Sequence, residues 1–302
     1  MLLKKFYKKI FSDRWELGIV ENTLENILEG EPLNVKWIIN KDKSHWYADP
    51  FILDVTDDEI ILLVEDMPTF PHKGVISKLV VSKNTMEIID KKVVLELPTH
   101  LSFPAILREK GNVYVYPENA HDNVLKIYKF IDDELISPVI LSNDQIWDSV
   151  ITDLFGQRFL FTARNNDYYL DIYRWNCDTD MFEFLQSIKS ENKNSRMAGQ
   201  LFVVNGKIYC PCQDCSQRYG GALIIKEVNF DGMTFSFTPV RRLTSTHPTL
   251  KEGLHTINSY KDIVVIDVYG YNYPKIASFF NLLKKIIWKT KYGKYIFRSK
   301  KA

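Results

Sequence analysis

Residues 49–66 read DPFILDVTDDEIILLVED: an apolar segment, a tight polar turn at Asp57-Asp58, and a second apolar segment that ends at acidic residues. This order of segment, turn and segment predicts a β-hairpin, because short apolar runs separated by turn-forming residues are a hairpin signal. The same order recurs four more times, with Gly or Asn or Asp in each turn. The four later units are 103–119, 149–164, 198–214 and 255–270.

The spacing of these five units favours one architecture. Successive units begin roughly 46 to 57 residues apart, a length that accommodates about four short strands, as in the blades of a β-propeller. We therefore predict an all-β fold, a five-bladed β-propeller. A β-sandwich and a solenoid are the alternatives that the same strands allow. In the second blade the strands are expected near 101–108, 112–117, 124–130 and 135–141.

The two ends of the chain suggest how the ring closes. Few residues follow Gly270 to complete a fifth blade, whereas Trp15–Val20 (WELGIV) precedes the first repeat and reads as a spare strand. We expect it to supply the missing outermost strand, because ring closure removes an open sheet edge. The predicted domains are a basic N-terminal segment (1–14), the propeller (15–273) and a basic C-terminal tail (274–302).

Charge is segregated along the chain although the formal net charge is only +1. Residues 1–11 contain four Lys, residues 274–302 contain nine Lys or Arg, and neither segment contains an acid. The body, 12–273, has 26 basic and 38 acidic residues, a net charge of −12. Apolar residues in 1–11 and 275–289 recur at helical spacing, which predicts short basic amphipathic helices at both termini.

Such ends suit an anionic membrane surface, which attracts basic segments. The alternative is that the helices pack on the blades and leave their lysines in water. A nucleic-acid partner is not expected, since an acidic body repels a phosphate backbone. No cleavable signal peptide and no transmembrane stretch are visible. We expect a cytoplasmic protein held peripherally on the inner face of the cell membrane.

Acidic residues recur at matching places in the repeats. In the first, second and fourth repeats an acid lies 14 or 15 residues after a Pro or Gly, and Arg164 holds the same place in the third. Blades that surround a channel would bring these groups together, and two or three such carboxylates can act as general acid and base at a glycosidic bond. Singly, each could be a turn cap or a surface ion pair. The candidate catalytic residues are Asp49, Glu65, Glu118, Asp148, Asp214 and His255.

Other side chains suit a sugar-phosphate site. Lys and Arg can neutralise a phosphate leaving group, and aromatic rings can stack on a sugar face. For each cation a solvated surface position is the alternative. No metal and no other cofactor is predicted, and Cys210, Cys212 and Cys215 are expected to be buried thiols rather than a zinc site. The candidate substrate-binding residues are Trp46, Tyr47, Lys73, Arg164, Arg196, Gln213, Arg218 and Tyr219.

Several short strings, taken together, resemble one family. They are HWYADPFIL, VEDMP followed by HKGVI, SFPAI, VYPEN, RMAG, CPCQDCSQRYGGAL and GLHTIN, in this order. The chain resembles the N-terminal propeller domain of plant glucosamine inositolphosphorylceramide transferases and its single-domain bacterial relatives. The resemblance spans roughly Trp15 to Gly270. The domain is similar in turn to the five-bladed propellers of glycoside hydrolase family 43.

The resemblance to family 43 implies that Asp49, in the Asp-Pro start of the first blade, acts as general base. It does not identify the acid, for which Glu65, Glu118, Asp148 and Asp214 all remain candidates. The plant relatives carry a further glycosyltransferase domain, so their activity is not carried over directly. Bacterial relatives are expected in surface-polysaccharide synthesis.

We therefore expect a glycosyltransferase with an activated sugar phosphate donor and a glycan or lipid-linked acceptor. The alternatives are a glycoside hydrolase resembling family 43 and a non-catalytic glycan-binding propeller.

Overall fold

The computed structural model describes residues 13–68, 73–119, 121–164, 166–190, 192–271 and 276. Within these residues five antiparallel sheets contain every strand, and the only helix longer than one residue is short. The five-bladed propeller prediction is confirmed. The expected terminal helices lie outside the described residues, apart from Ile276. No helix in the described part of the chain is long and apolar enough to cross a membrane.

The chain order of the elements follows the repeats. The first elements are β1 (Asp13–Val20), α1 (Leu24–Glu29) and β2 (Val35–Trp37). Blade one contains β3 (His45–Val55), β4 (Glu59–Pro68), β5 (Val75–Ser82) and β6 (Ile88–Leu95). Blade two contains β7 (Ser102–Glu109), β8 (Asn112–Glu118), β9 (Leu125–Ile131) and β10 (Glu134–Ser142). The strands of blade two therefore agree with the predicted ranges to within one residue.

The remaining blades are built in the same way. Blade three contains β11 (Trp147–Leu154), β12 (Gln157–Arg164), β13 (Asn166–Asn176) and β14 (Met181–Lys189). Blade four contains β15 (Arg196–Met197), β16 (Phe202–Val204), β17 (Lys207–Asp214), β18 (Ala222–Phe230) and β19 (Phe235–Leu243). Blade five contains β20 (Gly253–Tyr260) and β21 (Ile263–Tyr271), followed outward by β1 and β2.

Strand β1 closes the ring, as predicted, but it is not the outermost strand. It pairs with β21 along its whole length, from Asp13 opposite Tyr271 to Val20 opposite Val264. Helix α1 is capped by the Thr23 side chain and ends at Gly30 with φ 110°, so the chain turns back there. Strand β2 then adds to the outer edge of β1. Strand β2 has only three residues, too few for an alternating pattern that would have predicted it from the sequence.

A β-bulge recurs in the innermost strand of four blades. Pairing with the second strand shifts between Ala48 and Phe51, Ser102 and Ala105, Trp147 and Val150, and Leu254 and Ile257. Three of the bulged residues have left-handed backbones, namely Asp49 (φ 49°), Phe103 (φ 43°) and Asp148 (φ 46°). Such conformations are strained for side-chain-bearing residues and cluster at functional sites. The bulges of blades one, three and five present Asp49, Asp148 and His255.

Beyond the bulges a belt of polar side chains links the inner strands. Asn258 Nδ2 donates to the carbonyl of Pro50, and the Gln200 backbone N–H donates to Asn258 Oδ1. The Gln200 amide donates to the carbonyl of Ile106 at 2.8 Å and contacts the Tyr116 hydroxyl, which accepts the N–H of Ile151. Each of the five blades contributes a group, so the belt connects all five blades next to the bulges.

Candidate active site

Asp49 and His255 meet where blades one and five adjoin. Asp49 Oδ2 accepts the N–H of Phe103 at 3.1 Å, and the Asp49 N–H donates to Asp267 Oδ2 at 2.9 Å. His255 Nδ1 lies 3.0 Å from Asp267 Oδ2 and 3.2 Å from Asp49 Oδ1. Asp267 also accepts the backbone N–H groups of His255 and Thr256. Asp267 thus fixes both the bulge and the imidazole ring.

The charges of this group are mutually dependent. Burial alone would lower the pKa of His255, but the carboxyl groups of Asp267 and Asp49 outweigh it and raise this pKa to about 9. Burial raises the pKa of Asp49 well above its usual range; the charge of His255 opposes this, and Glu65 adds to it. The imidazole is therefore a cation at neutral pH. It supplies positive charge to a pocket rich in carboxyl groups.

Asp49 Oδ1 is buried and has no hydrogen-bond partner among the described residues. Although His255 Nδ1 is within 3.2 Å of it, the hydrogen bond of that nitrogen goes to Asp267. Leaving a buried acceptor unpaired costs about 1–3 kcal/mol. This oxygen therefore faces the imidazole of His255 without a hydrogen bond of its own.

Glu118, Asp148 and Arg196 form a second group, contributed by blades two, three and four. The N–H of Asp148 donates to Glu118 Oε2 at 2.9 Å, and Arg196 Nη2 approaches the same oxygen at 3.4 Å. Asp148 Oδ2 accepts Arg196 Nε and, at 3.0 Å, the side-chain amide of Gln213. All of these residues were predicted as site residues, and the structure brings them together.

The two carboxyl groups of this second group have opposite pKa shifts. Burial and the neighbouring charge of Asp148 raise the pKa of Glu118 well above its usual range. Burial also acts to raise the pKa of Asp148, but the charge of Arg196 and hydrogen bonds from Glu118 and Arg196 outweigh it, and the pKa is lowered. Paired carboxyl groups whose pKa values diverge can act as acid and base.

Tyr219 lies against both groups of site residues. Its hydroxyl group is 3.0 Å from His255 Nε2, and the Arg196 guanidinium lies 5.2 Å from the centre of its ring. The Tyr219 carbonyl accepts the hydroxyl group of Tyr269 at 2.8 Å, which fixes the loop between β17 and β18 to blade five. A Cβ atom on Gly220 would lie 2.9 Å from the His255 ring. Glycine here therefore allows the loop to approach the imidazole closely.

Comparison with known proteins identifies a family over most of the chain. Residues 38–240 match the family described as glucosamine inositolphosphorylceramide transferase 1, N-terminal. The chain belongs to this family. Relatives named glucosamine inositolphosphorylceramide transferase 1 are 23% identical over 198 residues in Oryza sativa subsp. japonica and 26% identical over 203 residues in Arabidopsis thaliana. These matches cover 59% and 61% of the chain but only 25% and 26% of the relatives.

The chain thus spans about a quarter of the length of its curated relatives. Solved structures with a similar fold include the β-xylosidase RS223, with TM-score 0.50, 13% identity, and coverage of 75% of this chain and 92% of that one. They also include the GH43_1 enzyme from Xanthomonas citri in complex with xylotriose, with TM-score 0.52, 10% identity, and coverage of 76% and 88%. At this identity the similarity shows the fold alone.

The family match contains Asp49, Glu118, Asp148 and Arg196, whereas blade five lies beyond it. Two members of the pocket were not predicted. Asp267 interrupts the apolar run IVVIDVYG, and an acid inside a buried strand is a signal that could have identified it. His100 carries no such signal; its Nδ1 accepts the N–H of Gly74, and its Nε2 lies 3.2 Å from Glu65 Oε1. Glu65 is thereby held at the edge of blade one.

Other predicted residues lie elsewhere. At the end of β17, the Asp214 carboxylate accepts hydrogen bonds from Arg242 and from the N–H of Ser216. The repeat alignment was two residues out, because Cys212 rather than Asp214 pairs with the inner strand at the position that Glu65 and Glu118 hold in their own blades. Lys73 bonds Glu96 and the carbonyl of Leu97, and Arg218 pairs with Glu252. Tyr47 is buried in an apolar cluster with Leu62 and Val64.

Trp46 and Arg164 are the remaining candidate substrate-binding residues. Trp46 is half-buried, and its ring centroid lies 6.0 Å from that of Trp15. The ring centroid of Trp15 lies in turn 4.8 Å from that of His255. Trp46 therefore lies close to the residues around His255. The side chain of Arg164 lies outside the described residues.

Three of the buried donor groups lie close enough together to be considered as metal ligands. Asp49, His255 and Asp267 lie within 4.8 Å of one another, a spacing that a cation could bridge. However, Asp267 already accepts three backbone N–H groups and His255 Nδ1. Their geometry is that of a hydrogen-bonded imidazole relay. Cys210, Cys212 and Cys215 are buried, whereas Cys177 is exposed.

Proposed function

We propose that this propeller is a carbohydrate-active enzyme that transfers a glycosyl group at the mouth of its channel. The observation that carries the proposal is the arrangement of carboxyl groups there. Glu118 and Asp148 have pKa values shifted in opposite directions, and Asp49 presents an unpaired buried oxygen. Such a set supplies the acid and base that chemistry at an anomeric carbon requires.

Each residue has a role in this proposal. Asp49 has a raised pKa, so its carboxylate is a stronger base than that of an exposed aspartate, and Oδ1 can accept the proton of an acceptor hydroxyl group. His255 and Arg196 supply positive charge beside the carboxyl groups. These two cations favour an anionic donor, such as a sugar phosphate, over a neutral one.

Transfer is preferred to hydrolysis on two grounds. The curated relatives are named as transferases, and the pocket contains the two cations just described. We further propose a glycan or lipid-linked acceptor, a place in bacterial surface-polysaccharide synthesis, and peripheral attachment to the cytoplasmic face of the membrane. Hydrolysis is the second candidate, because the raised pKa of Glu118 suits an acid that protonates the leaving oxygen of a glycoside.

A donor screen tests the proposal. Purified protein would be incubated with nucleotide sugars, phosphoribosyl diphosphate or aryl glycosides, each with and without saccharide acceptors, and products would be followed by mass spectrometry. Asp49→Asn should slow consumption of the active donor by about 10²–10⁴-fold, the usual contribution of a general base. Asp54→Asn, on the same strand but half-exposed and paired with Lys261, should not.

Consumption of a phosphate donor that depends on Asp49 would support transfer. Cleavage of aryl glycosides alone would support hydrolysis instead. Binding of saccharides without turnover of any donor would contradict both and favour a binding propeller.

A further inference from the structure

Resting on the proposed function, we infer that Glu118 delivers the proton to the departing oxygen of the donor. In this inference Asp148 and Arg196 are positioning residues that keep the proton on Glu118. The family resemblance left the acid open among four carboxyl groups, and the geometry selects one of them.

The first step is that one proton is shared by two buried carboxyl groups. Glu118 and Asp148 are buried side by side: the Asp148 N–H donates to Glu118 Oε2 at 2.9 Å, and both carboxyl groups contact Arg196. Two ionised carboxyl groups this close repel each other, which favours one proton between them. With one guanidinium, Arg196, shared between the pair, a second ionised carboxyl group would be left without a matching charge.

The second step is where this proton resides. Asp148 Oδ2 accepts Arg196 Nε and Gln213 Nε2, whereas Glu118 Oε2 accepts the neutral N–H of Asp148 and has a longer, 3.4 Å contact to the guanidinium. Hydrogen bonds from charged donors favour the ionised form of the acceptor. Asp148 is therefore the carboxylate and Glu118 the acid, in agreement with their pKa directions.

The third step is access to a ligand. The Glu118 side chain is 11% exposed and that of Asp148 is 4% exposed, so Glu118 is the more accessible of the two carboxyl groups. The inner strand of blade four provides no competing acid, because Ala198 follows Met197 at the place where other blades have their bulged residue. That blade contributes the guanidinium of Arg196 instead.

The proton balance is simple. As the bond between the anomeric carbon and the leaving oxygen breaks, that oxygen takes the proton of Glu118, and the guanidinium of Arg196 stabilises the resulting carboxylate. The acceptor hydroxyl group loses its proton to Asp49 as the new bond forms. One proton is spent and one is gained, and exchange with solvent restores the starting state.

The location of the proton can be measured without knowing the substrate. Infrared spectroscopy at neutral pH should show C=O stretching bands of protonated carboxyl groups. Glu118→Gln should remove one such band, whereas Asp54→Asn, which removes a half-exposed carboxyl group paired with Lys261, should leave the spectrum of protonated carboxyl groups unchanged. A Glu118→Gln spectrum identical to that of the wild type would overturn the inference, whatever the donor screen finds.

The role of the proton is tested with the active donor. Glu118→Gln should slow donors with basic leaving oxygens by about 10²–10⁴-fold and donors with acidic leaving oxygens much less. It should also abolish the fall of the reaction rate at alkaline pH. Asp148→Asn, which removes the charge that raises the pKa of Glu118, should move this fall to lower pH. Equal slowing of all donors by Glu118→Gln would show a structural role and contradict the inference.

Discussion

The most unusual single residue of this protein is His255, a buried imidazole between two carboxyl groups. Asp267 fixes its Nδ1, and the Tyr219 hydroxyl group meets its Nε2. Both nitrogens are thus engaged, and the ring cannot turn without breaking one contact. The positive charge of this ring therefore stabilises the fold in addition to acting on the site.

This charge predicts a dependence of stability on pH. The folded-state pKa of His255, about 9, exceeds the ordinary value of 6.5, so its contribution is complete below about pH 6.5 and is lost as pH rises through about 9. The shift corresponds to at most about 3 kcal/mol. Urea unfolding of the wild type should show this loss between about pH 6 and pH 10.

The matched variants are His255→Gln and His100→Gln. The first should be less stable near pH 6 and should lose less stability toward pH 10. The second, whose side chain is 38% exposed, should keep the wild-type dependence. Identical pH dependence in the wild type and His255→Gln would argue against a buried imidazolium.

At the residue scale the sequence predicts most of the residues of the candidate active site. Glu118 was selected from its spacing in the repeat, Asp49, Asp148 and His255 because they stand at or beside the head of a repeat, and Arg196 because a cation can neutralise a phosphate group. Asp267 was missed because alignment on strand ends ignores an acid in the middle of a strand. Contacts such as His100 with Glu65 depend on how blades meet, which a repeat pattern does not contain.

At the scale of elements, the inner strand of blade four depends on Gly199, which lies between β15 and β16. Its φ is 140°, and a Cβ atom there would lie 2.0 Å from the carbonyl oxygen of Ile257 and 2.8 Å from Asn258 Oδ1. This close approach allows the neighbouring Gln200 to join the belt beneath the pocket. Gly206, in the hairpin of the same blade, also has a positive φ, but its Cβ atom would meet nothing within 4 Å.

Alanine at these two positions separates backbone strain from steric contact. Gly206→Ala should reduce the free energy of unfolding by on the order of 1–2 kcal/mol, from the positive φ alone. Gly199→Ala should cost roughly 2–3 kcal/mol more, because it also overpacks the junction and disturbs the Gln200–Asn258 hydrogen bond. Urea unfolding monitored by tryptophan fluorescence measures both, and equal losses would mean that blades four and five can move apart freely.

Element boundaries were predicted best where turns were regular. The strands of blade two agree to within one residue because Lys110-Gly111 marks its first turn clearly. Blade four was misaligned because its hairpin turn is two residues shorter than that of blade one: Val204 pairs with Lys207, whereas Val55 pairs with Ile60. Counting from Gly199 therefore led to Asp214 rather than to Cys212. A change in turn length shifts the count of residues without disturbing the apolar pattern of the strands.

On the scale of the whole molecule, ring closure joins the first strand to the last blade. Strand β1 pairs with β21 from Asp13 to Val20, so the segments before Asp13 and after Tyr271 begin at adjacent strand ends. In sequence these two segments carry the basic excess, while the body between them has a net charge of −12. The five-fold repeat predicted the ring, but only the pairing of β1 reveals that the basic segments start at one place.

This juxtaposition predicts binding to anionic vesicles that depends on charge. The 302-residue chain should cosediment with vesicles containing phosphatidylglycerol and not with pure phosphatidylcholine, and added salt should weaken the binding. Changing Lys4, Lys5, Lys8 and Lys9 to Gln should weaken it at least about tenfold, since each basic residue near the surface contributes about 1 kcal/mol before screening. The control changes Lys36, Lys41, Lys207 and Lys251, exposed lysines of the body, to Gln and should bind like the wild type. Equal weakening in both variants would indicate attraction by net charge alone, and binding to both lipids without salt dependence would contradict an electrostatic attachment through the two ends.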